Sequence, residues 1–532
     1  MKLPRIIQGG MGVAISNWRL ARAVASKGEL GVVSGTSIDS VHSRILQDGD
    51  QGGLLRGVYR KFPIPEIAQR VVDRWFSPTG RKPGAPYRPI PVFSDKPNRA
   101  LDEMTALACF GEVELARGDN PKATIGINLL DKIRIPQLPS LYGAMLAGVD
   151  YVLMGAGIPR HVPGILDKFA EGEPASVKYD IDGGTEGECS FDPSAFLGRP
   201  APKLRRPKFL AIITSATLAI SLSKKSSGRV DGFVVETSVA GGHNAPPRGL
   251  LQLDANGEPI YGARDVPELD KIAAVGLPFW IGGGFASPKK LAEACAAGAA
   301  GIQVGTAFAC CEESGMAPSL KKKLISLARA QAIRISTNPH ASPTGFPFKV
   351  ARVEGTLSEP KVYAARKRIC DLGYLRSAYK RPDGTTGFRC ASEPVADYVR
   401  KGGNEVDTVG RICLCNGLIA TAGFAQLRKC EAVANVERKI GNAMESIEHA
   451  VEDVEQALES VVVTAGDSLA DIVRYLKDGA EGYSALDVLQ DLLSPVVESA
   501  SAFVGNAVEK VSEVASEMVD AVSCSGETRA TA

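Results

Sequence analysis

Leu277–Thr306 reads LPFWIGGGFASPKKLAEACAAGAAGIQVGT, and the order of its parts decides the fold. A short apolar run, LPFWIGGG, stops at three glycines. A helical stretch, SPKKLAEACAAG, comes next, with Ser287 in the capping position. A second short run, AAGIQVGT, stops at Gly305 and Thr306. Apolar runs this short, bounded by glycine, have the character of parallel strands covered on both faces. The unit is strand, helix, strand, and it closes a longer series.

Upstream the alternation repeats. PRIIQGG reads as a first strand, with Ser16 capping the helix NWRLARAVASK and Gly28 stopping it. LGVVSG is a second strand. TIGINLL is a third, followed by the helix PSLYGAMLAG, and VDYVLMG is a fourth. KFLAIIT is a fifth, with a helix from Ser215 to about Ser223, and VDGFVVE is a sixth. LPFWIGGG and AAGIQVGT are then the seventh and eighth. Eight strands, most followed by a helix, predict an α/β fold. Specifically, they predict a (β/α)8 TIM barrel with a long insertion after strand 2 and a mainly helical C-terminal extension. A doubly wound sheet would place one glycine-rich fingerprint after its first strand, whereas glycines here punctuate several strand ends.

The expected divisions follow. Residues 1–320 form the barrel, with an insertion at about 40–120 rich in Pro, Arg and Gly and containing short helices. Residues 321–430 form a helical, cysteine-containing extension. Residues 431–532 are amphipathic and helical, and their end, SGETRATA, is expected to be disordered. Val433, Val436, Ile440, Ile447, Val451, Val454 and Leu458 recur near helical spacing, as do Val504, Val508, Val511, Ala515, Met518 and Val522. Glu, Asp and Lys mix on the polar faces, without the basic bias of a membrane-surface helix. A self-packing hairpin or homo-oligomer contact is therefore expected of these helices.

A chain with 44% hydrophobic and 23% charged residues and a net charge of +2 has an ordinary globular profile. It gives no ground for a nucleic-acid or membrane partner. MKLPRIIQGG has no apolar run of signal-peptide length, and eleven cysteines in such a chain suggest reduced thiols. A cytoplasmic location is expected.

Loops after the seventh and eighth strands of such barrels often form a phosphate site. Here they carry Gly282, Gly283, Gly284, Gly305 and Thr306. Glycine lets backbone N–H groups approach an anion, and the helix start after Ser287 adds its dipole. A phosphorylated cofactor such as FMN fits this pattern better than a dinucleotide. The GxG at Gly155 and Gly157 has Arg160 where a third glycine is expected, and Pro159 reads as a helix start, so it is no nicotinamide fingerprint.

After the sixth strand comes VVETSVAGGHNAPPRG, Val234–Gly249. Gly241 and Gly242 let the backbone run close under a flat ring, and His243 can take or share a proton near neutral pH. Asn244 is placed to orient a polar substrate. His42, His161, His340 and His449 are weaker candidates. Cys370, Cys390, Cys413 and Cys415 could hold a structural Zn²⁺, but they lack paired C-x-x-C knuckles, so reduced core thiols are the favoured reading.

IIQGGMG, GINLL, GVDYVLMGAGIP, AGGHNAPPRG, LPFWIGGG and GAAGIQVGTAFACCEESG together resemble the nitronate monooxygenase (2-nitropropane dioxygenase-like) family, in that family's order and over roughly residues 1–320. The resemblance implies an FMN-bearing barrel that oxidises alkyl nitronates with O₂. It implies Gly10 and Met11 against the isoalloxazine, Asn128 as a flavin contact and His243 as the catalytic histidine. It also implies Gly283, Gly284, Gly305 and Thr306 at the FMN phosphate. Flavin-dependent enoyl-acyl-carrier-protein reductases, and enoyl reductase components of polyunsaturated lipid or polyketide synthesis, resemble the same barrel and supply the alternative activity. A flavin-bearing assembly component is the third expectation. The prolines after His243 and the large insertion depart from the simpler members, which leaves the substrate less fixed than the cofactor.

Overall fold

A computed structural model of the chain describes residues 3–426. The two amphipathic helices expected beyond residue 430, with their oligomer contact and disordered end, lie outside the described residues.

Eight parallel strands form one sheet. They are β1 (Ile6–Gln8), β2 (Gly31–Ser34), β3 (Ile125–Leu130), β4 (Tyr151–Gly155), β7 (Lys208–Ile213), β8 (Gly232–Glu236), β9 (Phe279–Gly282) and β10 (Gly301–Val304). Between the fourth and fifth barrel strands, β5 (Ala175–Asp182) and β6 (Thr185–Phe191) make a separate hairpin. Around the barrel the order is β1-β10-β9-β8-β7-β4-β3-β2, and Ile7 bridges Leu30 to close the ring. These eight strands are the eight predicted ones, and the fold is a TIM barrel.

Closure at the β1–β2 seam uses little main chain. Gln8 N–H donates to Leu30 C=O at 3.0 Å, and Leu30 N–H donates to Ile6 C=O at 3.1 Å. The side chain of Gln8, fully buried, continues the seam. Its Nε2 donates to Val32 C=O at 2.8 Å, and its Oε1 accepts from Val32 N–H at 3.0 Å. An amide side chain thus replaces a missing turn of ladder.

The barrel interior is filled by Ile7, Leu30, Val32, Tyr151, Leu153, Leu210, Val234 and Trp280. Residues of opposite parity on the same strands, such as Phe209, Ala211, Phe233, Val235 and Phe279, join the larger core beneath the helices. Period-2 alternation inside strands buried on both faces explains why the sequence runs are uniformly apolar.

Ser16 does not cap the first helix, Trp18–Ala25. Asn17 does, accepting from Leu20 N–H at 3.0 Å. Ser16 is occupied at the strand end, where Gln8 Nε2 donates to its hydroxyl at 2.7 Å. Nor does the helix after β4 start at Pro159. It runs Val162–Glu171, with a proline in its first turn.

The stretch after β2 is more regular than its composition implies. It contains helices Ile38–Gln47, Leu54–Tyr59, Pro65–Trp75 and Arg99–Arg117. The last has 19 residues and is buried on most of its surface, because it lies between the barrel and the other helices. His42 is a satisfied core histidine, with Tyr59 Oη at 2.8 Å and Glu112 Oε2 at 2.9 Å.

Beyond the last barrel strand the chain forms helix Pro318–Arg329, the antiparallel pair β11 (Arg334–Asn338) and β12 (Phe348–Arg352), the pair β13 (Ser377–Lys380) and β14 (Thr386–Arg389), and helix Leu414–Thr421. β13 pairs in parallel with β5, giving a second sheet ordered β14-β13-β5-β6. Phe348, at the start of β12, bridges His243. Among the described residues no helix is long and apolar enough to cross a membrane.

Replacing Gln8 by Leu keeps approximate volume but leaves Val32 N–H and C=O unpaired in the seam. Each buried unpaired group costs about 1–3 kcal/mol. Urea denaturation of the variant should show a loss of about 2–5 kcal/mol. A loss below about 0.5 kcal/mol would mean that the main-chain bonds alone close the barrel.

Candidate active site

A cavity of about 750 Å³ opens at the C-terminal ends of the barrel strands. Its lining includes Gly10, Met11, Asn128, Gly241, Gly242, His243, Gly283, Gly284, Gly305 and Thr306. The residues singled out from sequence on five separate loops and strands therefore meet in one place. Asn244 does not line this cavity. It is buried and donates from Nδ2 to Ala240 C=O at 3.0 Å, which pins the turn beneath Gly241 rather than presenting an amide to a substrate.

The first wall is the loop after β1. Ser16 Oγ donates to Gly9 C=O at 2.7 Å and accepts from Met11 N–H at 2.9 Å, so the Gln8–Ser16 contact that supports the seam also shapes Gly9–Met11. A Cβ at Gly10 would stand 2.1 Å from Asn128 Cβ, so only glycine fits there. Asn128 donates from Nδ2 to Leu129 C=O at 3.0 Å and to Leu153 C=O at 3.3 Å, which fixes the amide plane on the cavity wall.

The adjoining rim, after β10 and β9, is glycine-built. Gly283 has φ +91° and Gly284 φ +76°, and a Cβ on Gly283 would meet Thr237 Oγ1 at 2.4 Å. Ser287 caps helix Pro288–Ala296, accepting from Lys290 N–H at 3.2 Å. Among the described residues, the N–H groups of Gly283, Gly284, Gly305 and Thr306 have no backbone acceptor. Unspent amides converging beside a capped helix start suit a phosphate dianion.

His243 follows on the loop after β8, the strand next to β9. Its Nε2 is 2.8 Å from Ser342 Oγ, and its ring meets Phe348 edge-on with centroids 4.9 Å apart. Burial, aided by the ammonium of Lys132, lowers its pKa to about 3, so the imidazole is neutral across the physiological range. Lys349 N–H donates to Gly242 C=O at 2.9 Å and Asn244 N–H to Pro347 C=O at 2.9 Å, which clamps the histidine loop onto β12.

Several lining residues carried no sequence signal as site residues. Glu236, at the end of β8, accepts from Gln303 Nε2 at 3.3 Å. Its desolvated place in the cavity floor raises its pKa to about 7, against the opposing effect of that hydrogen bond. Phe348, Lys349, Tyr374, Leu375 and Leu414 arrive from the chain beyond residue 320. Tyr374 Oη donates to the buried carboxylate of Asp39 and lies 3.0 Å from Ser40 Oγ, which anchors the later segment to the insertion.

Cys370, Cys390, Cys413 and Cys415 are free thiols, and among the described residues no three His, Cys, Asp or Glu side chains are placed to hold a metal ion. Burial raises the thiols of Cys413, to about 11, and Cys415, so both stay protonated as packing groups. Cys415 lines the cavity, whereas Cys310 and Cys311 do not.

Residues 199–344 match the family model described as nitronate monooxygenase. A curated relative, the (3aS,4S,5R,7aS)-5-hydroxy-7a-methyl-1-oxo-octahydro-1H-indene-4-carboxyl-CoA dehydrogenase of Mycobacterium tuberculosis, is 28% identical over 143 residues. That match covers 27% of this chain and 36% of the relative, so it spans about a third of the relative's length. Among solved structures, FabK from Thermotoga maritima aligns with TM-score 0.36 and 16% identity, over 67% of this chain and 73% of that one. Nitroalkane oxidase from Streptomyces ansochromogenes aligns with TM-score 0.34 and 16% identity, over 65% of this chain and 76% of that one.

Glu236 makes stability depend on pH. Its folded pKa of about 7 lies above the ordinary 4.5, so the fold binds its proton more tightly than the unfolded chain does. Stability should therefore fall as pH rises from about 4.5 to about 7, by up to about 3 kcal/mol. Denaturation across that window should show the fall in the native protein and its reduction in Glu236→Gln. Identical pH profiles for the two would place the carboxylate in a solvated setting.

Proposed function

We propose that this chain binds FMN in the mouth of its barrel and reduces the double bond of an α,β-unsaturated acyl thioester, with His243 as the proton donor. The observation that carries this reading is the composition of the cavity at the strand ends. It joins a glycine-built anion rim, a neutral histidine and apolar lining residues that include Met316, Phe348, Leu375 and Leu418.

The residues present fit the cofactor. Gly283, Gly284, Gly305 and Thr306 would hold the phosphate, and Gly10, Met11 and Asn128 would lie along the ring system, with Gly241 and Gly242 leaving room beneath it. Bound FMN would supply two-electron chemistry between a nicotinamide donor and the substrate. The protein's own contribution is placement and protons. The apolar lining excludes water from an acyl chain. The turn pinned by Asn244 positions His243 at the cavity. A neutral imidazole can give its N–H proton to a carbanion centre provided its other nitrogen regains one, and Ser342 Oγ lies 2.8 Å from Nε2.

The oxidation of alkyl nitronates by O₂ is the second reading, favoured by the family match over residues 199–344. A small anion would benefit from a fixed cation at the ring. The nearby lysines are instead turned to hydroxyls, Lys132 to Thr344 at 3.0 Å and Lys349 to Thr337. That arrangement tilts the balance toward a neutral, largely apolar substrate. The acyl-CoA class named for the Mycobacterium tuberculosis relative is consistent with the tilt.

Anaerobic mixing of the yellow protein with NADH or NADPH should bleach the flavin, and a crotonyl thioester should restore the colour. His243→Asn should keep the flavin and lose about 10²–10⁴ in kcat. Bleaching by propionate 3-nitronate but by neither nicotinamide would replace reduction with nitronate oxidation. A protein that takes up no FMN would end both readings.

A further inference from the structure

His243 is not an isolated histidine. Its Nε2 lies 2.8 Å from Ser342 Oγ, Ser342 Oγ lies 2.8 Å from Thr344 Oγ1, and Lys132 Nζ donates to Thr344 Oγ1 at 3.0 Å. Lys132 follows β3, His243 follows β8, and the two hydroxyls sit on the loop between β11 and β12. Three distant segments thus build one continuous hydrogen-bonded chain that ends at the cavity. We propose that Lys132, Thr344 and Ser342 form a relay that sets the tautomer of His243 and returns a proton to it.

The direction of the chain follows from donor counting. Lys132 has only N–H donors when charged, so Thr344 Oγ1 accepts from it. Among the described residues Ser342 Oγ is the one acceptor within reach of the Thr344 hydroxyl, so Thr344 spends its O–H on Ser342, and Ser342 donates to His243 Nε2. Nε2 is therefore the acceptor, and the ring proton sits on Nδ1. Among the described residues Nδ1 has no protein partner, and the ring lines the cavity.

This inference rests on the proposed role of His243 as proton donor. In turnover the Nδ1–H bond breaks and its proton goes to the carbanion carbon left by hydride addition. Ser342 gives its hydroxyl proton to Nε2, Thr344 gives its own to Ser342, and Lys132 gives one to Thr344. The ring stays neutral as the other tautomer, and Lys132 becomes an amine. Reset takes one proton from cavity water at Nδ1 and sends the Nε2 proton back along the same chain. No charge accumulates on the imidazole.

The surroundings suit a lysine that must release a proton. Its ammonium lies 3.8 Å from the centroid of the Phe346 ring. Burial lowers its pKa to about 7, opposed by neighbouring Asp131. Asp131 is itself paired with Arg134 at 3.1 Å. From the other packed segments, Lys349 turns away to Thr337, and Arg411 holds the relay loop through Ser342 C=O at 2.7 Å. His243 is the remaining titratable group facing the lysine.

Thr344→Val is close to isosteric and cuts the chain, while Thr344→Ser keeps it. Nitrogen-15 NMR of histidine-labelled full-length protein reads the His243 tautomer without turnover. The native protein and Thr344→Ser should show the Nδ1–H form, and Thr344→Val should show a mixture or the Nε2–H form. Ser342→Ala, which removes the direct partner, should do the same. With crotonyl thioester and NADPH, Thr344→Val should lose about ten- to a hundredfold in kcat with KM nearly unchanged. The fall in native kcat above about pH 7 should vanish in that variant. A native Nε2–H tautomer, or a tautomer unmoved by both Thr344→Val and Ser342→Ala, would overturn the relay. A thioester that is not turned over, with the tautomer responses intact, would instead count against the proposed substrate and leave the relay's directional part supported.

Discussion

The barrel is completed at one seam by a side chain. β1 and β2 share a single bridge, and the amide of Gln8 supplies the next pair of hydrogen bonds to Val32. That interaction matters beyond the seam. The same Nε2 donates to Ser16, whose hydroxyl shapes the Gly9–Met11 turn. Closing the ring and building the first wall of the cavity are therefore one network. Once eight parallel strands close, their C-terminal ends share one face, and loops separated by nearly three hundred residues of chain must meet.

What gathers at that face is chosen by space and charge. Gly10 leaves only enough room for Asn128, and the positive-φ glycines after β9 present amides that no backbone carbonyl among the described residues uses. The chain beyond residue 320 returns to bring Phe348, Tyr374 and Leu414 into the same cavity. His243 lines it too, held neutral by burial and by Lys132. The result is a cavity with an anion rim and an apolar lining. On the proposed reading those two parts would take a phosphorylated flavin and an acyl chain.

The eight strands were legible because buried parallel strands leave short apolar runs punctuated by glycine. His243 and the rim glycines were legible because they sit where such strands end. Other features were not found from sequence. The β5–β6 hairpin was passed over although ASVKYDIDGGTEGECSF alternates cleanly around a two-glycine turn. The Ser16 hydroxyl stands next to the helix as a cap would, and no local pattern reveals its partner on β1. Ser342, Thr344 and Lys132 lie on loops far from His243 in sequence, and periodicity carries nothing about such pairings. The four cysteines lack knuckle spacing in sequence, and among the described residues they are free thiols.

The central claim is that the glycine rim after β9 and β10 binds the phosphate of FMN. Equilibrium binding of FMN and of riboflavin to the flavin-free protein tests it most directly. The account predicts FMN tighter by at least about a hundredfold, since a phosphate held by several N–H donors is worth about 3 kcal/mol or more. Riboflavin binding as tightly as FMN would contradict it and leave those glycines as turns.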